Sequence, residues 1–113
     1  MAAFASLIGD ENPIHLDEGF AATTRFGRCI VHGPLYSSLI GTVLGTMCPG
    51  PGTILVGDER HFHRPVFVGD TVVATVEVSS VDPAKREILL DITCRNQDDV
   101  VVLTGRARTR LAR

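Results

Sequence analysis

A five-residue break, Cys48-Pro49-Gly50-Pro51-Gly52, divides this chain into two halves of different character. Prolines and glycines at this density end any regular element, so the break bounds the segments on either side of it. Before the break, residues 35–47 are nearly all apolar or small, which predicts a helix buried on most of its sides. After the break, β-branched segments alternate with turn residues and predict strands at residues 53–62, 71–81, 86–95 and 100–111. Helices followed by an antiparallel meander indicate the α+β fold class.

Length and composition exclude several classes of protein. The 113 residues suffice for one hydrophobic core, and we expect a single domain over residues 1–113. With 44% hydrophobic and 21% charged residues, the chain does not belong to the disordered class. Its net charge of −2 and its dispersed basic residues predict no nucleic-acid partner and no membrane partner. No apolar run reaches the roughly 18–20 residues of a membrane span.

The cysteines and histidines do not predict a metal centre or a disulfide framework. Cys29, Cys48 and Cys94 are far apart and form no C-x-x-C motif. His61 and His63 could share a strand face, but no third ligand accompanies them, so we expect no metal. The N-terminus lacks the charged start and long apolar stretch of a signal peptide. We therefore expect a reduced, cytoplasmic protein.

The segment Gly9-Asp10-Glu11-Asn12-Pro13-Ile14-His15 carries a carboxylate and an imidazole five residues apart. Residues 2–8 are expected to form a helix that ends at Gly9, and residues 16–22 a second helix after the proline. Pro13 fixes its own φ and directs Asn12 away from helical geometry, so the segment predicts a turn between two helices. A carboxylate beside an imidazole is a workable pair for moving protons near neutral pH.

This segment resembles the G-D-x-N-P-[ILV]-H motif of the MaoC-like, (R)-specific enoyl-CoA hydratases. Three further stretches agree with that family in order and spacing. They are Phe26-Gly27-Arg28-x-Ile30-Val31-His32-Gly33, Leu44-Gly45-Thr46-x-x-Pro49-Gly50-Pro51-Gly52 and Phe62-x-x-Pro65-Val66-Phe67-Val68-Gly69-Asp70-Thr71-Val72. The resemblance covers nearly the whole chain. It implies the hotdog fold, an antiparallel sheet wrapped around one long buried helix, and a homodimer with its site at or near the subunit interface.

The chemistry implied by the resemblance is reversible addition of water to a trans-2-enoyl thioester, giving an (R)-3-hydroxyacyl product. Asp10 would be the base that activates the water, and His15 would orient the water and take part in proton delivery. The Gly33 N–H, at the start of the central helix, would donate to the thioester oxygen. The substrate-binding residues would be Asn12, which fixes the turn through bonds to the backbone, and three residues along the helix that would line the acyl chain. Those three are Ser38, Gly41 and Leu44.

Coenzyme A enters this reaction as part of the substrate, and no other cofactor is implied. The alternatives left open are a 3-hydroxyacyl carrier-protein dehydratase, a hydratase domain that works with a fused or separate partner, and a non-catalytic, acyl-thioester-binding subunit of a larger dehydratase. A thioesterase fits the motif less well. His32 is expected to bond the backbone rather than to react. Contact with the phosphates of coenzyme A is one interpretation of Arg25, Arg28 and Arg64, and solvated charge is the simpler expectation.

The chain also departs from the family pattern. Cys29 stands where a proline is common, and Pro34 stands where a methionine is common. Both positions lie beside the expected site, so both could influence which substrate is accepted. The strand and the front of the helix that usually precede the motif are missing, which predicts an uncovered sheet edge.

Overall fold

The computed structural model describes residues 1–112, in which helices are followed by strands. The helices are α1 (Ala2–Ile8), α2 (Pro13–Leu16), α3 (Glu18–Ala22) and α4 (Gly33–Thr46). The strands are β1 (Thr53–Phe62), β2 (Val73–Asp82), β3 (Glu87–Arg95) and β4 (Val101–Leu111). Each strand begins and ends within two residues of its predicted bounds. The predicted α+β class is confirmed, whereas the single domain over residues 1–113 stays a prediction.

The strands form one antiparallel sheet in the order β1-β4-β3-β2. The predicted meander is wrong at its first strand, because β1 pairs with β4 and not with β2. Residues 63–72 form a long connection that carries the chain from one edge of the sheet to the other. At Gly105 of β4, a side chain would meet the carbonyl oxygen of Glu59 in β1. The glycine therefore allows these two strands to pair, and the pairing places Phe62, at the end of β1, beside the start of α4.

The core lies between one face of the sheet and one face of α4. Ile40 and Leu44 of the helix pack into a cluster with Leu90 and Leu103 of the sheet, and each of the four is at most 3% exposed. The prediction that α4 is buried on most sides is wrong for the single chain, since Leu39 on its other face is 39% exposed. The physical reason is that a sheet of these strands covers only one side of a helix.

Two local backbone features, a glycine and a proline, bend the segment between α1 and α3. α1 ends at Gly9, whose φ of 80° is a left-handed conformation that glycine adopts without strain, and Pro13 begins α2. The prediction of one helix over residues 16–22 is wrong at its start, because Asp17 is extended, with φ −112° and ψ 102°. The Asp17 carboxylate instead accepts a hydrogen bond from the Phe20 N–H at 3.0 Å. An aspartate at this position caps a new helix more readily than it continues the previous one.

The described chain is elongated, with extents of 53 × 29 × 18 Å. Its radius of gyration is 16.0 Å, whereas a compact domain of this length has a radius of about 13 Å. Apolar side chains are exposed along the edge strand β1, namely Ile54, Leu55, Val56 and Phe62. Within residues 1–112, no helix has both the length and the apolar character needed to cross a membrane.

Candidate active site

Asp10 and His15 lie together between α1 and α2, as the motif predicts. The His15 Nδ1 atom lies 2.8 Å from the backbone oxygen of Ile30, and its Nε2 atom lies 4.0 Å from Asp10 Oδ2. The His15 side chain is 11% exposed and that of Asp10 is 42% exposed. Asn12 caps α2, since its side-chain oxygen accepts from the Ile14 N–H at 3.2 Å. The predicted bond from Asn12 to the backbone is therefore present, and it sets the path between the two side chains.

The contact with Ile30 decides which nitrogen of His15 carries the proton. A carbonyl oxygen only accepts, so in the neutral ring Nδ1 donates and Nε2 is left as an acceptor. The ionised Asp10 carboxylate is also an acceptor, and 4.0 Å is too long for a hydrogen bond between the two groups. Two acceptors at this separation suit a small molecule that donates two hydrogens, as water does.

His15 and Gly33 face an open pocket of about 750 Å³, a size within the range of about 300–1,000 Å³ for ligand sites. Gly33 begins α4, and the first N–H groups of a helix have no partner inside the helix, so they are available to an anionic oxygen. A Cβ atom at Gly33 would lie 2.8 Å from Phe62 Cε1, so glycine at this position leaves room for the Phe62 ring. Within residues 1–112, Asp10 does not line the pocket, and its carboxylate lies 4.0 Å from His15, which does.

The predicted acyl-binding residues of α4 do not come together with His15 in the single chain. Ser38 and Gly41 lie on the exposed face of the helix, and the Ser38 hydroxyl donates to the Leu35 carbonyl at 2.6 Å. Leu44 is on the opposite side, 3% exposed in the core. None of the three lines the 750 Å³ pocket within the described chain. Their role in acyl binding stays a prediction, one that would need the exposed face of α4 to be covered.

His32 is the residue of this site whose contacts the sequence did not reveal. Its Nε2 atom lies 3.1 Å from the Asp10 carbonyl oxygen, so it bonds the backbone as expected, and the residue it bonds is the predicted base. The ring is fully buried and is stacked on His15, with centroids 3.9 Å apart and planes 26° apart. In the neutral ring Nε2 donates to that carbonyl and Nδ1 is an acceptor, which has no partner among residues 1–112. A buried acceptor without a partner costs about 1–3 kcal/mol.

Two further titratable side chains are held in their protonated forms, Tyr36 in the pocket lining and Cys29 next in sequence to the pocket residue Ile30. Burial raises the pKa of Tyr36 to about 12, with a smaller effect from Cys94, and the hydroxyl has no partner within the described chain. The Tyr36 ring lines the pocket, and no sequence pattern had marked it. Burial and the Glu18 carboxylate raise the pKa of the Cys29 thiol. Cys29 is therefore not a thiolate nucleophile at neutral pH.

Asp10, His15 and His32 each have a possible metal-ligand atom within 4.8 Å of the others. The stacked rings argue against a shared ion. A zinc ion lies about 2.0–2.1 Å from each nitrogen and close to the plane of each ring, yet these two planes lie one above the other. One ion cannot meet both conditions, so the geometry suits proton chemistry better than metal binding.

The family model described as "MaoC like domain" matches residues 1–99. The chain is 46% identical to an (R)-specific enoyl-CoA hydratase of Aeromonas caviae, over 98% of this chain and 83% of the relative. It is 45% identical to a 3-hydroxybutyryl-CoA dehydratase of Methylorubrum extorquens, over 90% of this chain but only 65% of the relative. The chain thus spans a little under two thirds of that second protein.

Comparison with solved structures gives the same family. The structure of an (R)-hydratase from A. caviae involved in PHA biosynthesis superposes with a TM-score of 0.92 at 46% identity. The match covers 97% of this chain and 83% of that one, which confirms the predicted hotdog fold. With a family model over most of the chain and relatives of this similarity, the protein belongs to the MaoC-like domain family of hydratase and dehydratase enzymes.

Proposed function

We propose that this protein adds water to trans-2-enoyl-CoA to form (R)-3-hydroxyacyl-CoA and catalyses the reverse dehydration. One observation carries the proposal: His15 donates from Nδ1 to Ile30 and presents an unprotonated Nε2 toward Asp10 at 4.0 Å, beside the pocket. This arrangement suits a water molecule that donates one hydrogen to each acceptor. The oxygen lone pairs of such a water are left free to attack. The names of the relatives from A. caviae and M. extorquens agree with this reaction.

In the proposed reaction, the water oxygen forms a bond to C3 of the enoyl group as Asp10 takes one of its protons. The electron pair of the C2–C3 double bond moves onto the thioester and leaves an enolate. The proton taken by Asp10 passes through His15 to C2, so both side chains return to their starting states. Proton transfer by positioned groups contributes about 10²–10⁴-fold to the rate.

The enolate oxygen needs a hydrogen-bond donor, and we propose the Gly33 N–H for this role. It begins α4 and faces the same pocket as His15. The positive end of the helix dipole also favours negative charge at this point. Removal of one such donor costs roughly 3–4 kcal/mol in enzymes where it has been measured. A side-chain substitution at Gly33 leaves its backbone N–H in place, so such a change does not test this role.

Coenzyme A is the proposed carrier of the acyl group, in preference to a carrier protein. Arg25 and Arg64 line the pocket that His15 lines, and within residues 1–112 neither forms an ion pair with a carboxylate. Arginine binds phosphate through a planar, forked set of donors. Coenzyme A carries a diphosphate and a 3′-phosphate, whereas the prosthetic group of a carrier protein carries a single phosphodiester.

The carrier is tested with one acyl group on different carriers: crotonyl-CoA, crotonyl-pantetheine and crotonyl carrier protein. We expect the double variant Arg25→Gln/Arg64→Gln to lose roughly tenfold in kcat/KM on crotonyl-CoA, about 1.4 kcal/mol, and nothing on crotonyl-pantetheine. Arg28→Gln is the matched control, because the Arg28 guanidinium lies 3.8 Å over the Phe67 ring and outside the pocket lining. A higher kcat/KM on the carrier protein than on CoA would favour the dehydratase alternative.

The proposed assembly is a homodimer in which two sheets join edge to edge through β1. The exposed apolar side chains of this edge strand and the elongated shape of the single chain both support it. A partner at this edge would lie next to Phe62, which is 53% exposed and lines the pocket, so the interface would adjoin the site. Light scattering should give twice the chain mass of 12.2 kDa. A monomer at micromolar concentration would contradict the assembly.

The proposed reaction uses no metal and no cofactor other than the coenzyme A of the substrate. Asp10 and His15 suffice for proton transfer, so treatment with a chelator should leave the rate unchanged. The cytoplasm is the proposed location, because the three cysteines are free and a reducing compartment keeps thiols free.

The function is tested by incubating the protein with crotonyl-CoA and following the loss of the conjugated thioester absorbance. The product should be (R)-3-hydroxybutyryl-CoA on chiral analysis. Formation of the S product would contradict the stereochemical assignment. A folded protein with no turnover of any crotonyl thioester would favour the non-catalytic, thioester-binding alternative.

A further inference from the structure

His32 makes direct contact with both members of the Asp10–His15 pair. Its Nε2–H donates to the Asp10 carbonyl oxygen at 3.1 Å, and its ring is stacked on the His15 ring with centroids 3.9 Å apart. On another side, the Phe4 ring of α1 meets the His32 ring edge to face, with centroids 5.2 Å apart. His32 is fully buried at the N-terminal end of α4. It therefore connects α1, α2 and the turn between them (residues 9–13, the motif turn) to α4, whose first residue, Gly33, lines the pocket.

The motif turn has few other ties to the rest of the molecule. Within the described chain, the other hydrogen bonds of residues 9–13 run to partners at most four positions away. The bond from His32 to Asp10 is the long-range hydrogen bond of this turn, and it spans 22 positions. Without it, the backbone that carries the Asp10 carboxylate would be held only by local turn geometry.

The unpartnered Nδ1 atom shows that the histidine is kept at a cost in stability. A phenylalanine at this position would stack on His15 without burying an unsatisfied acceptor. It would also leave the Asp10 carbonyl without its donor. Histidine at this position thus buries one unsatisfied acceptor, and it supplies a hydrogen-bond donor to the Asp10 carbonyl.

We propose that His32 is a positioning residue for the hydratase reaction: its Nε2–H holds the Asp10 backbone while its ring face holds the His15 imidazole. The inference rests on the proposed function, since it assigns His32 to the pair that activates water. A displacement of about 1 Å in such a pair costs on the order of 10²-fold in rate. The reaction itself does not require His32 to gain or lose a proton.

Two substitutions separate the two contacts. His32→Phe keeps a ring against His15 but removes the donor to Asp10, and His32→Gln keeps an amide donor but removes the ring. We expect kcat on crotonyl-CoA to fall roughly 10–100-fold in each, with KM changed by less than about threefold. We also expect His32→Phe to unfold at nearly the same urea concentration as the wild type, because removal of the buried unsatisfied Nδ1 atom offsets the lost hydrogen bond to the Asp10 carbonyl.

A fall in rate without a comparable fall in stability distinguishes a positioning role from a merely structural one, in which both would fall together. Glu77→Gln is the control, since Glu77 is exposed on β2 at the opposite edge of the sheet and outside the pocket lining, and its kcat should stay within threefold of the wild type. A folded His32→Phe or His32→Gln variant with wild-type kcat would overturn the proposal. If His32→Phe does not fold, His32→Gln alone decides it.

A failure of the His32 proposal can be distinguished from a failure of the proposed function. If the wild-type protein hydrates no crotonyl thioester, the proposed function fails, and the role of His32 is then read from amide hydrogen exchange at Asn12 and Ile14. Those amides donate within the motif turn, and their exchange should be at least tenfold faster in His32→Phe than in the wild type. Unchanged exchange rates would overturn the positioning role independently of activity.

Discussion

Tyr36→Phe should stabilise this protein, which is an unusual expectation for a substitution in the core. The residue is 8% exposed, and its hydroxyl is shielded from solvent without a hydrogen-bond partner among residues 1–112. A buried polar group in this state costs about 1–3 kcal/mol, and phenylalanine keeps the ring and its edge-on contact with Phe62. We therefore expect the free energy of unfolding to rise by about 1–2 kcal/mol, measured by urea denaturation at a fixed protein concentration.

Thr109→Val is the matched control, because it removes another buried hydroxyl that does have a partner. Thr109 is fully buried and its Oγ1 donates to the Ile88 carbonyl at 3.2 Å. Loss of that bond should lower the free energy of unfolding by about 1 kcal/mol. The two variants are thus expected to change stability in opposite directions. A loss of 1 kcal/mol or more in Tyr36→Phe, at an unchanged denaturant slope, would refute the reasoning.

The pH at which Tyr36 ionises gives a second test of its burial. Tyr36 is the sole tyrosine in a chain without tryptophan, so tyrosinate absorbance reports this residue alone. Its pKa is raised from 10.0 to about 12, so the folded state holds the proton more tightly than the unfolded state. The resulting stabilisation is fully present below pH 10 and is lost as the pH rises to about 12. Tyr36→Phe should lack this alkaline component, and a folded-state titration near pH 10 would contradict it.

Three further substitutions test the elements that support the site. Asn12→Ala removes the cap of α2 and should cost about 1 kcal/mol in a urea titration together with roughly tenfold in kcat; unchanged kinetics would argue that the cap does not hold the pair. Gly105→Ala places a Cβ against the Glu59 carbonyl oxygen and should destabilise the fold by about 1–3 kcal/mol, whereas the control Gly57→Ala meets nothing within 4 Å and should not. Leu90→Ala, at a fully buried position, should cost about 2–5 kcal/mol, and a cost below 1 kcal/mol would contradict the assignment of the core.

The strands, α1 and the position of the motif turn were predictable because each depends on local chemistry. Gly9 ends α1 and Pro13 begins α2 through their own backbone preferences. Alternation of β-branched residues located all the strands to within two residues. Pairing of β1 with β4 was not predictable, because it depends on where the chain crosses the sheet after residue 62. The small residue at Gly105 was the available signal for a close approach of another strand.

The pair at the centre of the site was predictable, but its surroundings were not. Spacing brought Asp10 and His15 together, since five residues around a proline turn fix their separation. The contacts of His32 join residues 22 positions apart, and no local pattern encodes them. Tyr36 was missed for the same reason, because it is buried in a cluster that includes side chains of the sheet, which are distant in sequence. The exposed face of α4 shows the limit of sequence patterning, which indicates that a helix is apolar but not what covers it.

The most direct test of the account compares crotonyl-CoA hydration by the wild-type protein, Asp10→Asn and the control Asp17→Asn. Asp17 is the nearby carboxylate that caps α3, and asparagine caps a helix equally well. We predict that Asp10→Asn lowers kcat by at least about 10²-fold while Asp17→Asn stays within threefold of the wild type. An Asp10→Asn protein that is folded and retains more than about a third of the wild-type kcat would contradict the assignment of Asp10 as the base.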